Sequence, residues 1–108
     1  MFTVICSYPL RPGVTPSQAR DEIEQTIPMY KGRAGLVRKY VALDFAQGRG
    51  CGVYLWSDRA KAEKYFAEVT PIIEAQMGAK PEVAYYDTPL VVDNAADEIY
   101  LAESSSAN

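Results

Sequence analysis

Two stretches of this chain are apolar or aromatic at alternate positions and also at the positions in between. In "FTVICSY", residues 2–8, Val4 and Ile5 are neighbours; in "CGVYLWS", residues 51–57, Tyr54, Leu55 and Trp56 follow one another. β-Branched and aromatic residues at this density read as strands. Successive side chains of a strand point to opposite faces of its sheet, so strands like these have no side to turn to water. Any fold built on them must cover both faces.

The segments between the strands supply one cover. "TPSQARDEIEQTIPMY" opens as a helix: Thr15 caps it, Pro16 fits its first turn, Gln18 closes a capping box, and Ala19, Ile23 and Ile27 share a face. Pro28 and "KGRAG" end it. "LVRKYVALD", residues 36–44, is a strand, and "FAQGRG" is its hairpin connection to "CGVYLWS", whose glycines imply close backbone approach or a bulge. Ser57 or Asp58 caps a second helix with Ala62, Tyr65, Phe66 and Val69 on one stripe; Thr70-Pro71 restarts a short helix that Gly78 closes. "PEVAYYDTP" is the fourth strand. The order β-α-β-β-α-β predicts an α+β, ferredoxin-like fold with an antiparallel sheet in the order 4-1-3-2 and both helices on one face. The other face, which Val4/Ile5 and Tyr85/Tyr86 load as heavily as the first, then needs a partner, and a symmetric homodimer is the simplest cover. The domain is expected to span residues 1–94. Residues 95–108 read as a polar tail, disordered toward its end, in which Ile99, Tyr100 and Leu101 either pack as a short helix on the partner or lie loose.

Composition narrows the chemistry. Histidine is absent, which removes His-ligated haem, the usual zinc sites and imidazole catalysis. Two cysteines do not make a disulfide framework, and no apolar run is long enough for a membrane-spanning helix. The N-terminus lacks the pattern of a signal peptide, so the expectation is a cytoplasmic protein with reduced thiols. The net charge of −3 arises in the tail, at Asp93, Asp97, Glu98 and Glu103, and the near-neutral body offers nothing to nucleic acid or an anionic membrane. "GRGCG" leads into a strand and not into a helix N-terminus, so it is no phosphate loop; a flavin held between subunits is the one nucleotide arrangement left open.

Three segments carry a resemblance: "AGLVRKYVALD", "GRGCGVYLWSDRAKAEKYF" and "YYDTPLVVDN". Together they resemble the YdhR-type monooxygenases, in the dimeric α+β barrel superfamily with the antibiotic-biosynthesis monooxygenases. The resemblance runs over roughly residues 2–94 and is strongest at Gly35-Leu36, Lys39, Gly52 to Trp56 and Pro89 to Asn94. It implies a homodimer with a pocket in each protomer between sheet and helices. It also implies an oxygenase that uses dioxygen on a small aromatic or polyketide-like compound with no cofactor. The chain departs from those relatives that employ a histidine.

Oxygenation without a cofactor requires a substrate, such as a phenol or an anthrone, that loses a proton and then gives an electron to dioxygen. The protein must take the proton, stabilise the anion and exclude water. Arg38 and Lys39 are adjacent in an apolar strand and so face opposite ways: one is the anion-stabilising cation, or both are charges protecting a sheet edge. Tyr54 supplies a phenolic donor and, with Trp56, an aromatic wall on the third strand; ordinary core packing is the alternative. Tyr65, Tyr40 and Tyr8 are further pocket candidates, again set against a core role. Asp44 and Asp87 are bases or, more simply, turn residues at strand ends. Cys6 and Cys51 come to the same end of adjacent strands, as a redox pair or as two buried thiols. Lys31, Arg33, Arg38 and Lys39 form a basic patch able to draw an acidic substrate. The competing readings of the whole are a non-redox binding protein or cyclase/isomerase-like module, and a structural dimer with a vestigial cavity.

Overall fold

The computed structural model describes residues 1–103. Its main sheet contains β1 (Phe2–Pro9), β2 (Leu36–Asp44), β3 (Arg49–Trp56) and β4 (Glu82–Asp87), all antiparallel, in the order β2-β3-β1-β4. This is the ferredoxin-like α+β arrangement that the element order predicts. Val4 on central strand β1 pairs with Tyr54 of β3 on one side and Tyr85 of β4 on the other. That register fixes which residues share a face.

The helices follow their sequence signals, with two departures. α1 (Pro16–Glu24) is closed by a reciprocal cap in which Thr15 Oγ1 accepts from the Gln18 amide at 3.1 Å and Gln18 Oε1 accepts from the Thr15 amide at 3.0 Å. It stops before Ile27, because Pro28 has no N–H to bond back into that turn. Thr26 Oγ1 instead donates to the Ile23 carbonyl at 2.6 Å, and a separate single turn, α2 (Ile27–Tyr30), follows. The second departure is α3 (Arg59–Met77), which is capped by Asp58, runs unbroken through Pro71 and ends at Gly78, whose φ is +71°. Pro71 is exposed, so the carbonyl it leaves without an N–H faces water and the helix need not restart there.

One face of the sheet is covered as the helix stripe requires. Ala62, Tyr65, Phe66 and Val69 of α3 pack on Val4, Cys6, Tyr54 and Trp56 to form the core. Phe66 anchors it edge-to-face on Tyr54 and on Tyr65, each with ring centroids 4.9 Å apart. Each aromatic buried here contributes on the order of 1.5–3 kcal/mol of transfer free energy.

The segment after β4 folds into a second, two-stranded sheet of β5 (Leu90–Asp93) and β6 (Glu98–Leu101). Asp93 Oδ1 accepts from the Ala96 amide to shape its turn. Ile99 to Leu101 are therefore a strand, where the sequence pattern allowed a short helix or a loose segment. Four residues per strand are too few for the alternation to stand out before the pairing is known. The disorder expected at the extreme C-terminus falls on residues outside those described. Among the described residues no helix is long and apolar enough to cross a membrane.

Candidate functional site

Packing is uneven along the covered face. Near the Trp56 end, α3 sits on the sheet through its aromatic cluster. Toward the other end the inner surface is lowered by two glycines of β3. The Tyr54 ring lies over Gly52, where a Cβ would come within 2.7 Å of it, and the Tyr8 ring and Leu43 side chain lie over Gly50, each 2.9 Å from such a Cβ. The close approach anticipated from the glycines of this strand is made by side chains of the same face. With α1, α2 and the last turns of α3 as its roof, this half of the molecule forms a cavity of about 590 Å³ that is open to solvent on one side. The size is that of an ordinary small-molecule site. Leu10, Ile23, Val41, Leu43, Ile73 and Met77 supply its apolar wall.

The polar groups converge on one side. Tyr30, from α2, meets Tyr54 and Tyr65 at ring-centroid distances of 6.0 Å each, and Tyr65 Oη donates to Tyr30 Oη at 2.9 Å. The Lys39 ammonium lies 3.2 Å from the centroid of the Tyr30 ring and 4.8 Å from that of Tyr54, a cation held against two π faces. Burial pushes the Tyr54 and Tyr65 phenols well above the ordinary tyrosine range, and the neighbouring Tyr30 adds to it. Burial acts the same way on Tyr30. There, hydrogen bonds from Lys39, Tyr65 and Tyr54 and the lysine charge overcome it, and the phenol sits below its ordinary value. Lys39 is itself pushed down by burial, against the opposing pull of Tyr30 and Cys6. The cluster thus separates phenols that hold their protons from one that gives its proton up more readily, beside a cation able to stabilise negative charge.

What sets Lys39 in the cavity is an irregularity in β2. Leu36 pairs with Trp56, but the next β3 residue, Leu55, pairs with Arg38, so Val37 is an extra residue in the ladder. One inserted residue reverses the parity of every residue beyond it in the strand. Lys39 therefore points inward with Val41 and Leu43, and Arg38 points out.

The sequence candidates divide accordingly. Lys39, Tyr54 and Tyr8 line the cavity, and Tyr65 touches it through Tyr30. Arg38 and Tyr40 do not: both lie on the opposite face, where Arg38 pairs with Asp93 of the hairpin and approaches Tyr40 Oη at 3.4 Å. Trp56 is 1% exposed in the aromatic core, and its indole N–H has no partner among the described residues; it is a plug behind the cavity and not its wall. Cys6 lines the cavity while Cys51 pairs with Ser7 on the outer face, so the sheet separates the two thiols. Asp44 shapes the hairpin turn by accepting from the Gln47 amide, and Asp87 lies 3.9 Å from Arg59 at the surface. From the basic patch, Arg33 stacks over Tyr65 at 4.7 Å and donates to the Met29 carbonyl. Tyr30 is the group that the sequence pattern does not reveal. It sits in "IPMY", a turn too short for a helical stripe to mark its inward side. Among the described residues no group of three or more Cys, Asp or Glu side chains is arranged to hold a metal ion.

No protein-family model matches the chain, and no curated protein matches it by sequence. Solved structures share its fold. A protein of Deinococcus radiodurans described as a "putative antibiotic biosynthesis monooxygenase" matches with a TM-score of 0.65 at 14% identity, over 86% of this chain and 97% of its own. The NE2512 protein of Nitrosomonas europaea, of unknown function, matches with a TM-score of 0.62 at 13% identity, over 81% and 87% of the two chains. A second "putative antibiotic biosynthesis monooxygenase", from Bordetella bronchiseptica, gives 0.59 at 16% identity, over 81% and 95%. At such identities the likeness is one of fold, and it agrees with the sheet order described above.

Proposed function

We propose that the protein is a homodimeric, cofactor-independent monooxygenase of the YdhR type that oxidises a small aromatic or polyketide-like compound in the cavity under α1, α2 and α3. The observation that carries this reading is the Tyr30–Tyr54–Tyr65 hydroxyl cluster with Lys39 against it, beside an apolar wall of Val41, Leu43 and Ile73. Two of the structural neighbours bear the monooxygenase name.

The chemistry asked of such a site is limited. A phenol or anthrone loses its proton by way of the Tyr30 hydroxyl, the most easily ionised of the three, to water at the cavity mouth, and the substrate anion is stabilised by Lys39 and by donation from Tyr54. The substrate anion passes one electron to dioxygen. The radical pair combines to a hydroperoxide, which loses water. One methylene and one dioxygen become one carbonyl and one water, with no external reductant. The apolar wall limits the water that reaches the anion.

An oxygen electrode tests the proposal. Purified protein with an anthrone should consume oxygen above the buffer rate, and Tyr54→Phe should slow it. No rate above buffer removes the oxygenase reading. A non-redox isomerase or binding module is the second reading, because the hydroxyl and ammonium groups of the cluster suit proton transfer and anion binding without any redox step. Such a protein would bind the same compound and leave the oxygen concentration unchanged.

A further inference from the structure

Lys39 is a cation with no carboxylate partner within ion-pair distance among the described residues. The other charges lining the cavity are Arg11 and Glu22, which are exposed at its rim and neutralise each other at 2.7 Å. Tyr30 meets Lys39 with its ring face, 3.2 Å away at the centroid, and brings no carboxylate. The Cys6 thiol is kept protonated by burial. A lysine on a sheet ordinarily extends its ammonium to water. Here the displaced register of β2 turns it into a chamber walled by Val41, Leu43 and Ile73. An uncompensated charge in such surroundings is unfavourable until something of opposite sign meets it.

We propose that the cavity takes a monoanionic ligand, a flat apolar body carrying one acidic oxygen group, carboxylate or phenolate, set against Lys39. This rests on the reading of the cavity as the ligand site and adds the charge and polarity of what enters. One cation admits one negative charge; a dianion would leave its second charge against the apolar wall. The tyrosine hydroxyls supply donors to the same oxygen group, and the aliphatic side of the chamber receives the body.

Calorimetric titration at neutral pH with 2-naphthoate and its neutral isostere 2-naphthamide tests the proposal. Wild-type protein should bind the acid about tenfold or more tightly than the amide, the effect of one charge-assisted hydrogen bond. In Lys39→Met the preference should vanish while amide binding persists, which also shows the chamber intact. Lys39→Gln, with a polar side chain retained, should behave alike and replaces the first variant should it fold poorly. Equal wild-type affinities, a preference for the amide, no binding of either compound, or an acid preference that survives in both variants overturns the proposal. Oxygen is not consumed in this experiment. The acid preference can therefore hold where oxygen uptake fails, and fail where oxygen uptake holds.

Discussion

An ammonium held half-buried against phenol rings and aliphatic side chains works against folding, and the sign of that effect is testable at Lys39. Burial lowers its pKa, so the charged form is less favourable in the folded chain than in the unfolded one. The penalty is complete below the folded pKa and fades as pH rises to the ordinary lysine value, where the side chain is neutral in both states. Lys39→Met should therefore raise the melting temperature at pH 7, by an amount that shrinks as the titration approaches that value; a fall or no change at pH 7 contradicts the account. A stabilising loss of this kind is the usual mark of a residue retained for function. Tyr30 gives the companion test. Its pKa is lowered in the folded state while burial raises those of Tyr8, Tyr54, Tyr65 and Tyr85, so in an absorbance titration it should ionise first among these five. Tyr30→Phe should delete that first step, and Lys39→Met should move it upward by removing the nearby charge.

Most of the elements can be read from the sequence because their signals are local. The Thr15/Gln18 box, the Asp58 cap, the Gly78 stop and the α3 stripe each depend on residues within a few positions of one another, and each stands where those residues place it. The cavity is less legible, since its decisive feature is the pairing of β2 with β3. Nothing in "GLVRKYV" marks Val37 as the extra residue, and that one residue decides whether Arg38 or Lys39 is inside. The same distinction between local and tertiary information applies to α3. Pro71 announces a break by its own chemistry, yet packing of Ile73 and Val69 on the core keeps the helix going. If the helix tolerates Pro71 only through this packing, Pro71→Ala should restore the missing hydrogen bond and stabilise the fold, by up to about 3 kcal/mol in urea denaturation. On β3, Gly52→Ala should do the opposite. Its Cβ meets the Tyr54 ring at 2.7 Å, so the ring must leave its place in the cavity floor. We expect weaker binding of any aromatic acid together with a loss of about 1–3 kcal/mol in stability.

At the scale of the molecule, the two-sided apolar character of the strands remains unresolved by a single protomer. The outer face of the sheet carries Ile5, Val53 and Leu55, with Tyr40 and Tyr86 each 54% exposed, and both helices of the ferredoxin-like body lie on the other side. The hairpin extends this surface. Its underside is fastened to the body by the Arg38–Asp93 ion pair and by the Met1 amino group donating to Tyr100 Oη at 3.0 Å. Its opposite side presents Leu90, Val92, Ile99 and Leu101, paired across the two strands and more than half exposed. The resulting body measures 51 × 30 × 27 Å, with a radius of gyration of 15.4 Å where a compact chain of this length would have about 13 Å. An apolar arm beside an apolar sheet face suits a second copy of the same chain, which covers both by one two-fold operation. Sedimentation should then give a dimer, and the melting temperature should rise with protein concentration. Ile99→Asp is the sharpest probe, because the side chain is 74% exposed in the protomer. In a true monomer that change is nearly silent, within about 0.5 kcal/mol. In the dimer it sets a carboxylate into an apolar contact, so the variant should sediment as a monomer with its far-ultraviolet spectrum intact and its melting temperature no longer dependent on concentration. Unaltered sedimentation would place the interface elsewhere, and a wild-type chain that stays single at working concentration would leave the greasy outer face without its explanation.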